Sequence, residues 1–324
     1  MVNVTPPFNV DLAGSFLVPQ SLKDAREQYR KDQNQVSLRI VEDSEINNLV
    51  NKLKSLGLKV VTDGHFRSDN WPYSFMSQLD GLELKSNSKN SLVLTGRISV
   101  HRHPVIADFV FLTGMTGGDV IAKQVLPAPS WLLSEIMKDE NGNLGRIYPD
   151  KGLLLEDIVS VYRKLTGELY DSGCRYLQFD DPKRIINDDA VYVNNASLEN
   201  TPANFYIAYH ASVEMLFSIR GVNAYLLDYD SECCERNRLL WFVKEKKAAF
   251  GFIPSHYPLE DELDEFRLKI GEVTRYIPLN RFTLCVPNAQ VLPAESYEMA
   301  EQKQWNTLDM AMRVAEEIFP AADN

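Results

Sequence analysis

The sequence predicts an α/β protein of the (β/α)8 TIM-barrel class, with an antiparallel hairpin inserted between its second and third barrel strands. Three observations lead there. Eight short apolar runs each end in polar residues: 11–15, 60–65, 124–130, 176–181, 205–210, 225–230, 250–256 and 282–288. A parallel strand covered on both faces is apolar throughout, so polar groups gather where it leaves the sheet. Eight such ends are the pattern of a parallel barrel with one mouth. Segments of helical periodicity alternate with the runs, which favours a parallel sheet over separate α and β domains. Finally, no repeat, low-complexity tract or long linker interrupts residues 1–324, so one domain is expected.

Taken in order, the first strand at Asp11–Ser15 precedes a helix over Ser21–Lys31, with Leu22, Ala25 and Tyr29 on one stripe. A second helix over Glu42–Leu56 carries Ile46, Leu49, Val50, Leu53 and Leu56 on one face, and Gly57 ends it. The second strand, Val60–His65, follows. Residues 91–112 then read as two extended runs, Leu92–Val100 and Val105–Leu112, joined by His101, Arg102, His103 and Pro104. Those joining residues suit a turn, which is the basis for the hairpin. The third strand ends at Pro129 and Ser130, and a Gly/Asn-rich surface loop spans Asp139–Pro149. A long helix over Leu153–Ser172 carries apolar residues at Leu155, Ile158, Val159, Tyr162, Leu165 and Leu169 before Gly173. Amphipathic helices over Leu259–Arg275 and Glu295–Phe319 flank the last strand.

The formal charge of −11, without a dense Lys/Arg run, argues against a nucleic-acid partner. No run is long enough for a membrane span, and Met1–Phe8 lacks the basic start and apolar core of a signal peptide. The four cysteines, with Cys233 and Cys234 adjacent, make no disulfide framework. A cytoplasmic protein acting on a small molecule is expected.

Chemistry-bearing residues collect on the strand ends. Asp180 and Asp181 close the fourth strand, and paired acids there can hold an ammonium group, transfer protons or bind a metal. The alternative is that they cap the helix that follows. His65, His210 and His256 end the second, fifth and seventh strands, so three of the five histidines fall on one rim. Asp228 and Asp230 lie near the end of the sixth strand, and a spacing of two puts both on one face. Trp131 follows the third strand and can stack on a flat ligand or pack under a loop. Arg67 and Arg97 are carboxylate anchors or ion-pair partners, whereas His101 and His103 belong to the turn and to solvent.

Gly14–Leu17 with the helix from Leu22 to Arg26, Gly57–Gly64, Leu177–Pro182, Leu227–Ser231 and Tyr276–Leu279 together resemble the cobalamin-independent methionine synthase family, most closely its short single-domain members. The likeness keeps order and spacing over nearly the whole chain. It implies a barrel that transfers a methyl group to a thiol such as homocysteine, in methionine biosynthesis. It also implies a folate methyl donor and a zinc ion that binds sulfur as thiolate. On the family's pattern, Gly14 and Ser15 cradle the amino acid's carboxylate, an acid at Asp180 or Asp181 holds its amino group, and His256 relays a proton near the metal. The family's zinc ligands fall on His210, Ser212, Asp228 and Ala289, so two thiolates are replaced. His65 stands where the family has a Glu that helps hold the amino group. The parent reaction is therefore in question. Two other readings remain: a remodelled metal site built from His65, His210, His256 and Asp228, and a non-catalytic protein that binds an amino acid or thioether.

Overall fold

Tyr176, Leu177, Gln178 and Phe179 are each 0% exposed, which leaves their strand nowhere to lie but between covered faces. A computed structural model describes residues 8–13, 15–85, 90–138, 142–181, 188–199, 204–209, 222–228, 246–251, 263–286 and 296–319. All eight expected runs contain strands: β1 Val10–Leu12, β2 Val60–Val61, β6 Gln124–Pro127, β7 Tyr176–Asp181, β8 Asn204–Tyr209, β9 Ala224–Asp228, β10 Lys247–Gly251 and β11 Phe282–Val286. Seven of them form one sheet in the order β1-β11-β10-β9-β8-β7-β6, parallel throughout. The strand β2 pairs in parallel with β5, Ile121–Ala122, which continues across Lys123 into β6. The parallel ladders thus run through consecutive strands from β6 to β11 and return to β1. Among the described residues one backbone bond joins the segments that follow β1 and β2, Phe16 N to Gly64 O at 3.2 Å.

Helices cover the outside. Helix α1, Gln20–Asp32, buries Leu22 and Arg26. Helix α2 spans Gln35–Ser55 and starts seven residues before the periodicity suggests, because the Asn34 side chain accepts from Ser37 N at 3.1 Å and caps it. A short turn, α3, covers Tyr73–Met76. The later helices are α5 Pro129–Ile136, α6 Leu144–Ile147, α7 Lys151–Asp171, α8 Asp188–Leu198, α9 Leu263–Val273 and α10 Tyr297–Ile318. The α7 stripe buries Ile158, Val159, Tyr162, Leu165 and Leu169, as its spacing requires.

The insertion differs from expectation. Leu92–Ser99 is strand β4, but its antiparallel partner is β3, Asp80–Leu84, on its N-terminal side. Val105–Leu112 is helical, within α4 Pro104–Gly114. Pro104 suits the first turn of a helix, where its missing N–H costs nothing, and the His103 ring accepts from Val105 N at 3.2 Å as the cap. A short run that is apolar all along carries no period to tell strand from helix. Nor is His103 solvated: it is 4% exposed and its Nε2 lies 3.1 Å from Phe75 O, whereas His101 is exposed and meets Asp80. The hairpin approaches closely at Gly81, at φ 82, where an added Cβ would lie 2.5 Å from Arg97 O.

Candidate functional site

Four of the predicted residues converge on a cavity of about 400 Å³ at the C-terminal ends of β1, β2, β6 and β7. Ser15, His65, Trp131 and Asp180 line it, with Phe16, Val18, Gly64, Ser68, Asp69, Asn70 and Trp71.

The β2 end sets the position of His65. Gly64 and His65 take left-handed φ of 66 and 61, so the chain turns sharply as it leaves the strand. Thr62 Oγ1 accepts from Gly64 N at 3.2 Å and Asp63 Oδ1 from His65 N at 3.0 Å, which hold that turn. Glycine takes φ above zero without strain, but a histidine there is uncommon and marks a position the surroundings over-determine. The His65 ring stacks on Trp71 at 4.3 Å between centroids and 18° between planes, and its Nδ1 lies 2.7 Å from Ser15 Oγ. Its Nε2 is buried with no hydrogen-bond partner among the described residues. Burial pushes the imidazole below its ordinary range, only partly offset by Asp63 and Asp180, with Lys123 acting in the same direction as burial. Burial thus favours the neutral form of the His65 ring.

Arg26 secures the segment after His65. It donates from Nη2 to Phe66 O and Ser68 O, both at 2.9 Å, and its Nε meets Asp69 Oδ1 at 2.8 Å. Arg67 points away from the cavity into ion pairs with the buried Glu42 and the partly exposed Asp43 and Asp108, between α2 and α4. Arg97 pairs with Asp157 on the surface. Neither arginine reaches the cavity.

The two acids of β7 separate, because successive strand side chains face opposite ways. Asp180 lines the cavity, with Gln178 Nε2 donating to its Oδ1 at 2.7 Å. Asp181 is 2% exposed and accepts from the Ser130 hydroxyl, while Ser130 and Asn194 bond each other through Ser130 N to Asn194 Oδ1 at 3.1 Å and Asn194 Nδ2 to Ser130 Oγ at 3.0 Å. Asp181 therefore ties α5 and α8 to β7 and does not line the cavity. Trp131, in the first turn of α5, donates from Nε1 to Glu135 Oε1 at 3.2 Å and presents its ring to the cavity wall.

Sequence reasoning missed the polar group beneath this floor. Lys123 and Asp11 are an ion pair with side chains 0% exposed and Nζ to Oδ1 at 2.7 Å. Lys123 also donates to Gln178 Oε1 at 2.8 Å and to Leu12 O, and the Tyr176 hydroxyl donates to Asp11. A lone Lys following an apolar pair was the available signal.

Gly14, His210, His256, Ser212 and Ala289 lie outside the described residues, and Asp228 is described by its backbone alone, at the end of β9 opposite Gly251 of β10. The expected metal ligands therefore fall where no side-chain geometry is described. Cys285 is buried on β11, in register with Asp11, and burial pushes its thiol up. Among the described residues no helix is long and apolar enough to cross a membrane.

No protein-family model matches the chain. Two uncharacterised proteins of Bacillus subtilis (strain 168), YxjG and YxjH, are each 26% identical over 97% of this chain and 95% of their own length. Among solved structures, a candidate vitamin-B12-independent methionine synthase from Listeria monocytogenes is 28% identical with a TM-score of 0.78, covering 98% of this chain and 100% of that one. A B12-independent methionine synthase from Shewanella sp. W3-18-1, solved with selenomethionine, has a TM-score of 0.73 at 14% identity, over 95% of this chain and 98% of that one. A methyltransferase from Methanosarcina mazei follows at 0.62 and 11%, over 97% and 96%. The chain shares the fold of cobalamin-independent methionine-synthase-like proteins.

Proposed function

We propose that this chain is a divergent relative of the cobalamin-independent methionine synthases whose cavity binds an amino acid of the methionine and homocysteine class. The observation that carries the reading is the convergence of Ser15, His65, Trp131 and Asp180 on one cavity of about 400 Å³. That size is ordinary for a small-molecule site, and a few polar groups among aromatic walls is the usual composition. Asp180 accepts from the ligand's ammonium group. Ser15, at the end of β1, takes the carboxylate side. Trp71 and Trp131 form apolar walls suited to a thioether, since sulfur makes favourable contacts with aromatic rings. The selenomethionine bound by the Shewanella neighbour supports the ligand class.

His65 replaces an acid in this frame. A neutral imidazole adds no charge, so Asp180 carries the ammonium contact, and the unpartnered Nε2 offers one hydrogen bond to the ligand. Methyl transfer to a thiol is the reaction class to which the neighbouring folds point. A zinc site built on thiolates does not fit the donors at these positions, where Ser212 and Ala289 stand in place of two cysteines and leave His210 with Asp228. Recognition of the amino acid is accordingly proposed to be independent of metal.

Calorimetric titration with L-methionine and L-homocysteine, with and without zinc, tests the proposal. Metal-independent binding is expected, weakened at least tenfold in Asp180→Asn. No binding of either amino acid, or equal binding by that variant, overturns it.

A further inference from the structure

We infer that Lys123 and Gln178 are positioning residues that set Asp180 as an acceptor toward the cavity, through a chain of hydrogen bonds that can run in only one direction. An ammonium group donates three hydrogen bonds and accepts none. Lys123 uses all three, on Asp11 Oδ1 at 2.7 Å, on Leu12 O and on Gln178 Oε1 at 2.8 Å. The Gln178 amide must then present its oxygen to Lys123, which leaves its nitrogen for the opposite side. That nitrogen donates to Asp180 Oδ1 at 2.7 Å. A carboxylate only accepts, so both ends of the amide agree on one orientation.

The arrangement is buried and anchored. Lys123, Asp11 and Gln178 are at most 1% exposed, and the Tyr176 hydroxyl and Leu12 N, the latter at 2.6 Å, also donate to Asp11. Two strands and one junction contribute: β1 through Asp11, the β5–β6 junction through Lys123, and β7 through Tyr176, Gln178 and Asp180. Lys123 sits where the backbone passes from the β2–β5 ladder to the β6–β7 ladder, its N–H donating to Val61 O at 2.9 Å. With Oδ1 held from below, Asp180 Oδ2 has no hydrogen-bond partner among the described residues, which is what an ammonium subsite needs. An apolar residue at 178 would leave Asp180 free to turn toward other donors. An unheld amide could flip and set its oxygen against the carboxylate.

The role in ligand binding rests on the reading that Asp180 meets the ammonium group; the role in placing Asp180 does not. Crystal structures of wild type and Gln178→Leu, together with L-methionine titrations, separate the two. Asp180 is expected to leave its wild-type position in Gln178→Leu, with affinity about tenfold weaker, the usual consequence of losing a hydrogen bond to a charged group. In an Asp180→Asn background the same change should alter affinity less than about threefold, whereas a merely structural role weakens both backgrounds alike. Gln178→Met is the second variant if leucine disturbs folding. Lys123→Met paired with Asp11→Asn, which leaves no buried charge alone, should displace Asp180 in the same way. An unmoved Asp180 in these variants, or equal losses in both backgrounds, overturns the inference. Should wild type bind no methionine while Asp180 moves as expected, the ligand reading fails and the positioning role stands.

Discussion

Ser15 Oγ and His65 Nδ1 lie 2.7 Å apart, joining the ends of β1 and β2 across 50 residues of sequence. Among the described residues a single backbone bond, Phe16 N to Gly64 O, also joins these ends, so this side-chain contact helps fix one wall of the cavity. Ser15→Ala should cost about 1 kcal/mol of stability, because it strands a buried ring nitrogen. It should also weaken methionine binding severalfold by freeing the imidazole. Urea unfolding and calorimetry check both effects, and a binding constant equal to wild type would remove His65 from the proposed site.

Stability should fall with acid through the histidines. Burial lowers the folded-state pKa of both His65 and His103 below the unfolded value near 6.5. The unfolded chain therefore takes up protons first, and stability present above pH 6.5 is lost as pH falls below it. Burial raises Glu42 and Asp108, which act in the opposite sense as pH rises through the carboxylate range. The clean measurement is thus a difference: between pH 7.5 and 5.5 the wild-type urea midpoint should drop more than that of His103→Asn. Parallel curves would count against the assignment.

Arg26 should matter more than its place on α1 suggests. Its guanidinium holds two carbonyls and Asp69 while largely buried. Arg26→Met should cost about 2–4 kcal/mol, because two hydrogen bonds from a charged donor are lost, while the pair with the exposed Asp69 adds little. Hydrogen exchange should rise first over residues 66–70. A loss spread evenly over the chain would show that the clamp is not local.

Gly81→Ala should destabilise by about 2–3 kcal/mol, since φ 82 is unfavourable for alanine and its Cβ would collide with Arg97 O. Thermal denaturation measures it. Gly114→Ala, in a helix with open space at that Cβ, is the matched control and should be neutral or stabilising.

The β-strands were legible because burial on both faces leaves a continuous apolar signature, and their polar ends mark Ser15, His65, Trp131 and Asp180. The run at 105–112 was misleading for the same reason: uniform apolarity has no period. The sequence placed His103 in a solvated turn, and the helix cap put it inside. Of helix α8 the sequence marked only its place after Asp181, as the helix the paired acids could cap, and not its bounds.

What the chain order by itself determined is the set of strand ends and hence the face that holds the cavity, since each end is written locally in a few residues. Tertiary structure decided which of the adjacent acids faces it. The two-residue period says Asp180 and Asp181 point opposite ways, and only the curvature of the sheet says which way is inward. It alone brought Lys123 to Asp11, 112 residues apart, and so gave Gln178 its orientation. A buried charge must find its partner wherever the fold supplies one, and no local pattern records that distance.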